Sequence, residues 1–180
     1  DIYGEAHAPR ADGLVTNCDE ICLFNYAADC AIIMFVDPNK KVIGSLHASW
    51  RGSLLGIIEN EVLEFKSRYH SDLADLIAVV MPSISVESFE VGEDCAEQFI
   101  QAGFTDCVDT VSYKKPHVDL ARVNGAILKK CGLYDENIYV IDNLCTYRDE
   151  TIFHSFRRGP IDQEGHHLNG MNGYFIKLIS

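Results

Sequence analysis

DCAIIMFVDPNKKVIGSLHASWRG, residues Asp29 to Gly52, holds two apolar, β-rich runs, Ala31–Val36 and Lys41–Ala48, joined at Asp37-Pro38-Asn39-Lys40. Asp at the first turn position and Pro at the second suit a tight turn. With Pro38 and Asn39 as the central turn residues, antiparallel partners carry numbers that sum to 77. Val36 then faces Lys41, Met34 faces Ile43 and Cys30 faces His47. Directly opposed residues project from one face of a sheet, their Cβ atoms about 4.5–5.5 Å apart. A thiolate and an imidazole so placed have two uses. They can share a metal ion, with Zn–S near about 2.3 Å, or form the ion pair of a cysteine nucleophile and its base.

Trp50-Arg51-Gly52 follows the second strand. Gly52 permits a sharp exit, and Ser53 is placed to cap the helix expected over Ser53–Tyr69, where Leu54, Ile57, Ile58, Val62 and Phe65 recur at helical spacing. Strand, turn and helix N-terminus form a favourable place for an anion, and Arg51 stands at that junction. Asp29, adjacent to Cys30, is expected to point to the opposite face, which suits a supporting role better than ligation.

Outside this stretch, Gly13–Thr16 and Ile21–Tyr26 read as short strands, and Leu76–Met81 as a buried one. Helices are expected over Glu93–Ala102 and Asp119–Lys130, each stopping at a glycine, Gly103 and Gly132. Cys107–Val111, Ile138–Ile141, Thr151–Phe156 and Tyr174–Ile179 supply further strands. The mixture predicts an α+β or mixed α/β fold. His117 reads as a core or capping residue, and His154, His166 and His167 as exposed.

The chain of 180 residues, 47% of them apolar, suits one domain over 1–180. No apolar run reaches membrane-spanning length and no signal-peptide pattern opens the chain. Seven cysteines without paired spacing point to a reducing, cytoplasmic setting. A net charge of −12 argues against nucleic acid as a partner. An anionic substrate therefore needs local positive charge, for which Arg51 and the Arg157-Arg158 pair are the candidates.

A set of motifs carries a family resemblance. Asp29-Cys30 through His47-Ala48-Ser49-Trp50-Arg51-Gly52, the Ala11–Thr16 segment ADGLVT, Pro82–Ser85 through Phe89–Gly92, His117–Leu120, Cys145-Thr146 and Phe153–Arg158 occur in order. They resemble the DC…H…RG, ADALVT, GPSIG…YEVG, HLDL, CT and FFSYRR segments of the YfiH/YlmD, or laccase-domain, family. Its members are known as multicopper polyphenol oxidases and as purine nucleoside phosphorylases. Departures include Ser49 and Met81 at usual glycines, and a blurred final GR motif in Asn169–Gly173.

The resemblance implies a layered sandwich of helices packed on mixed sheets. It implies Zn2+, or Cu2+, held by Cys30 and His47, and a purine nucleoside and phosphate as substrates. The expected reaction is phosphorolysis of adenosine, inosine or methylthioadenosine, with adenosine deamination beside it. The expected catalytic set is Cys30, His47 and Arg51, with Arg51, Arg157 and Arg158 expected for phosphate. The family's third metal ligand is a histidine in a QVHG-like motif well upstream of the ADALVT segment. Only 11 residues precede Asp12, and His7 is the sole histidine among them. The chain is therefore expected to be a C-terminal portion, or a shortened member, with weak zinc binding of its own.

Three other readings stay open. A laccase-like copper oxidase needs many imidazoles, commonly in His-x-His pairs, and the chain has seven histidines and no such pair. A cysteine hydrolase would use Cys30 and His47 without metal. A non-catalytic binding domain would follow if the third ligand is lacking from the whole protein.

Overall fold

The computed structural model describes residues 11–179. His7 and the first ten residues lie outside the described part.

The central strand explains the layering. Strand β3 (Ala31–Asp37) is buried along almost its whole length, so it is covered on both faces. It pairs antiparallel with β4 (Val42–Ala48) on one side and with β5 (Ile77–Val80) on the other. Strand β1 (Gly13–Thr16) adds to the outer edge of β4, and β8 (Ile138–Val140) runs parallel to β5, giving a mixed five-stranded sheet of order β1-β4-β3-β5-β8.

Odd-numbered β3 residues Ala31, Ile33 and Phe35 face the main core with Ile58, Phe65, Phe99 and Leu128. Those residues come from helices α2 (Ile57–Arg68), α3 (Glu93–Gln101) and α4 (Leu120–Lys130). The even-numbered Ile32 and Met34 instead pack on Ala27 and Tyr174. These belong to an antiparallel ribbon of β2 (Cys22–Ala27) and β9 (Asn172–Lys177). Helices, sheet and ribbon thus form three layers: the mixed α/β content matches the reading of the residues, and the layered sandwich matches what the family resemblance implies. A minor ribbon of β6 (Val108–Asp109) and β7 (His117–Val118) lies beside α3.

Three details correct the sequence expectations. The β3–β4 turn spans four residues rather than two: Asp37 pairs with Val42, and every pair in the hairpin sums to 79. The Asp37 carboxylate accepts the Asn39 and Lys40 N–H groups at 2.9 and 2.8 Å, and Lys41 takes a left-handed φ of 51° before the strand resumes. Next, the expected helix over Ser53–Tyr69 is two helices. A short α1 (Trp50–Leu54) is capped by Ser49, whose Oγ accepts the Gly52 N–H at 3.1 Å, and α2 begins after Gly56 at φ 84°. Ser53 is no cap; it is buried and donates to Asn124 Oδ1 at 2.8 Å. Finally, Thr151–Phe156 forms turns, not a strand, because its polar groups are bonded to loops and to Asp29 rather than to a ladder.

Candidate active site

The two-place register shift puts His47 opposite Ile32. Opposed residues share a face and side chains alternate with period two, so His47, Ile32 and Cys30 stay on the same side of the sheet. That side is the ribbon side, where Cys30 packs against the small cluster of Ile32 and Met34. Both residues line a cavity of about 690 Å³ between the end of the sheet, the β2 end of the ribbon and the loops that follow β5 and Thr146. Asp12, Asp29, Trp50, Arg51, Phe156 and Arg157 also line it.

His47 is oriented twice by Asp12. The Asp12 carbonyl accepts the His47 backbone N–H at 2.8 Å, and Asp12 Oδ1 lies 3.0 Å from His47 Nδ1. With Nδ1 engaged, Nε2 is the ring nitrogen left for a ligand. Burial pushes the Cys30 thiol up to about 11, and the Asp29 and Asp12 charges add to the effect. The free side chain is therefore a thiol at neutral pH.

Arg51 lies in the first turn of α1 with its guanidinium 4.2 Å from the Trp50 ring centre. Arg157 reaches the same cavity from the opposite wall. Its guanidinium donates to the Glu90 carbonyl at 2.9 Å and stands 5.5 Å from the Phe89 ring. Arg158 is not among the lining residues. It donates to the carbonyls of Thr146, Tyr147 and Phe153, which ties two loops together. The structure thus brings Cys30, His47, Arg51 and Arg157 to one cavity and sends Arg158 elsewhere.

Asp29 does not face away as expected. At φ 84° it turns inward, 8% exposed, and accepts hydrogen bonds from Thr146, Ser155 and Arg157. The aromatic walls were also missed. Phe24 and Tyr26 alternate along β2, and Phe156 is backed by His167 at a ring separation of 3.7 Å. The sequence signal for the first two was the period-two spacing in Cys22–Ala27. For Phe156 there was none short of the fold. His117, expected in a core or capping role, is buried, bonded to the Val86 carbonyl and stacked on Tyr113. His154 and His166 are exposed, and His167 is half-buried.

Thiolate sulfur and imidazole nitrogen suit zinc or copper as donors. Among the described residues, however, no three His, Cys, Asp or Glu side chains converge closely enough to hold a metal ion. Two donors fall short of the three that a catalytic zinc site keeps, so these residues alone do not complete one.

A model of the multi-copper polyphenol oxidoreductase laccase family matches residues 2–176. A purine nucleoside phosphorylase of Bacteroides thetaiotaomicron is 31% identical over 165 residues, which covers 89% of this chain and 60% of the relative. An adenosine deaminase, RL5, from an unknown prokaryotic organism is 34% identical over 157 residues, covering 86% and 59%. The crystal structure of YlmD from Geobacillus stearothermophilus matches with a TM-score of 0.82 at 28% identity, over 96% of this chain and 63% of that one. The chain spans about three fifths of the length of these relatives. With nearly its whole length matched by the family model, the chain belongs to the laccase-domain family of YlmD- and YfiH-type proteins.

Proposed function

We propose that the complete protein is a purine nucleoside phosphorylase that also deaminates adenosine, with its active site in the cavity shared by Cys30, His47, Arg51 and Arg157. The observation that carries this reading is that convergence: two metal-type donors, two arginines and aromatic walls around one space of about 690 Å³. The named activities of the relatives, phosphorylase and deaminase, support it.

In phosphorolysis a phosphate oxygen attacks C1′ of the ribose, the C1′–N9 bond breaks, and the purine leaves with a proton. Arg51 and Arg157 supply positive charge and forked donors for the phosphate, against an overall charge of −12. Phe24, Tyr26 and Phe156 offer flat apolar surface for the base. The metal we propose is zinc, held by Cys30, His47 and a donor from outside the described residues. When bound, it supplies positive charge and a water of lowered pKa, the reagent that deamination at C6 needs.

The test is to incubate the complete protein with inosine and with adenosine, with and without phosphate. The reading expects base and ribose 1-phosphate in equal amounts, in proportion to phosphate, and some ammonia from adenosine. Base release indifferent to phosphate overturns it.

The family description favours a second reading, a copper-dependent phenol oxidase. Among the described residues His47 is the single histidine on the cavity, too few imidazoles for several coppers. Oxygen consumption with a phenol, proportional to bound copper and lost with Cys30→Ala, is the result that would favour it. The metal-free cysteine hydrolase fares worse, because burial and two carboxylates hold the Cys30 thiol protonated.

A further inference from the structure

We propose that Asp29 is a positioning residue: its buried carboxylate fixes where Arg157 stands at the cavity, and so governs phosphate binding without touching phosphate. The inference rests on the phosphorylase reading above and adds a residue to it.

The geometry around this carboxylate is complete. Oδ1 accepts the Thr146 hydroxyl at 2.7 Å. Oδ2 accepts the Ser155 hydroxyl at 2.9 Å and the Arg157 backbone N–H at 2.7 Å. The Asp29 carbonyl also accepts the Ile84 N–H at 3.0 Å. An ionised carboxylate is an acceptor only, and here every direct partner is a neutral donor from a distant loop. The residue's left-handed φ of 84° is a conformation that Asp and Asn tolerate better than other side chains, and it aims the carboxylate at those loops.

Arg157 is held at both ends. Its N–H is on Asp29, and its guanidinium is on the Glu90 carbonyl beside Phe89. Removing the first anchor frees the backbone from which the arginine reaches the cavity. Ser155 shares the arrangement, because its Oγ donates to Asp29 and accepts the Arg158 N–H at 3.1 Å. Asp29 therefore places Cys30, its chain neighbour, and Arg157, 128 positions away, in one fixed relation.

The experiment uses the complete protein and the variants Asp29→Asn, Ser155→Ala and Arg157→Ala, with each of the first two also combined with the third. Asn keeps the volume and the left-handed preference. The phosphate KM is expected to rise about tenfold in Asp29→Asn and in Ser155→Ala, with the nucleoside KM within about twofold, as for loss of orientation at one subsite. In the Arg157→Ala background neither change is expected to raise the phosphate KM further, because both act through Arg157. The inference is overturned by an unchanged phosphate KM in the single variants, or by effects that add in full to that of Arg157→Ala. If Asp29→Asn does not fold, Ser155→Ala, which removes one donor to the carboxylate and one acceptor for the Arg158 N–H but keeps Asp29 itself, decides between the same outcomes. A parent protein without phosphate-dependent turnover overturns the phosphorylase reading and this inference with it. A phosphate-dependent parent with unaffected variants overturns this inference only.

Discussion

Arg51 and Arg157 meet the cavity with different degrees of freedom. Arg157 is bonded at both its backbone and its guanidinium, whereas Arg51 is exposed, rests on the Trp50 ring and has no carboxylate partner among the described residues. Arg51 is thus free to close on an anion. Lysine at this position keeps the charge but loses both the forked donors and the flat face. In the complete protein, Arg51→Lys is expected to raise the phosphate concentration needed for half-maximal rate by about tenfold, the loss of roughly one good charge-assisted hydrogen bond, with thermal stability unchanged. A lowered melting temperature with unaltered phosphate dependence would make Arg51 structural. The contributions of Cys30, His47 and Arg51 were legible because they sit within 22 residues of one another on a hairpin and its exit. Asp29 was not: its partners Thr146 and Ser155 are 117 and 126 positions away, and its left-handed turn defeats the simple alternation from which its direction was read.

Among elements, the β3–β4 hairpin shows how a wrong turn can leave a site intact. A four-residue loop replaces the expected two-residue one and displaces every pair by two positions. Because side chains alternate with period two, a shift of two keeps each residue on its face, whereas a shift of one would have parted Cys30 from His47. Helix α2 and strand β4 meet at Gly44, where an added Cβ would lie 2.8 Å from the buried Phe65 ring and 3.1 Å from Glu61 Oε1. Gly44→Ala is therefore expected to cost about 1–3 kcal/mol in denaturant unfolding, since the ring has nowhere to retreat. Glu61 itself is buried on α2, with Oε1 lacking a hydrogen-bond partner, and burial together with Glu64 pushes its carboxyl up to about 7. The folded state then binds a proton that the unfolded state has already released. The contribution of this carboxyl to stability therefore falls as pH rises from about 4.5 to about 7 and stays lower above that. Glu61→Gln removes this loss: the variant is expected to melt higher than the parent at pH 8, by an amount on the order of 3 kcal/mol, and similarly at pH 4. A melting difference independent of pH would contradict the assignment.

For the whole molecule, the layers were legible as strands and helices, but their stacking came only through resemblance, because periodicity shows which face is apolar and not what covers it. The ribbon of β2 and β9 joins segments near opposite ends of the chain, a pairing no local pattern announces. The metal question belongs to this scale too. With two donors among the described residues, zinc titration of the 180-residue chain is expected to show weak binding, read by competition with a chromophoric chelator. Tight one-to-one binding abolished by His7→Ala would instead place a third donor at His7. The reach of the Asp29 carboxylate bears, last, on time. The hairpin that follows it closes from neighbouring residues and is available early, while Thr146, Ser155 and Arg157, 117, 126 and 128 positions beyond Asp29, emerge from a ribosome much later. A nascent chain thus carries the β3–β4 hairpin long before it carries the loops that close the cavity, and competence for chemistry waits on those loops.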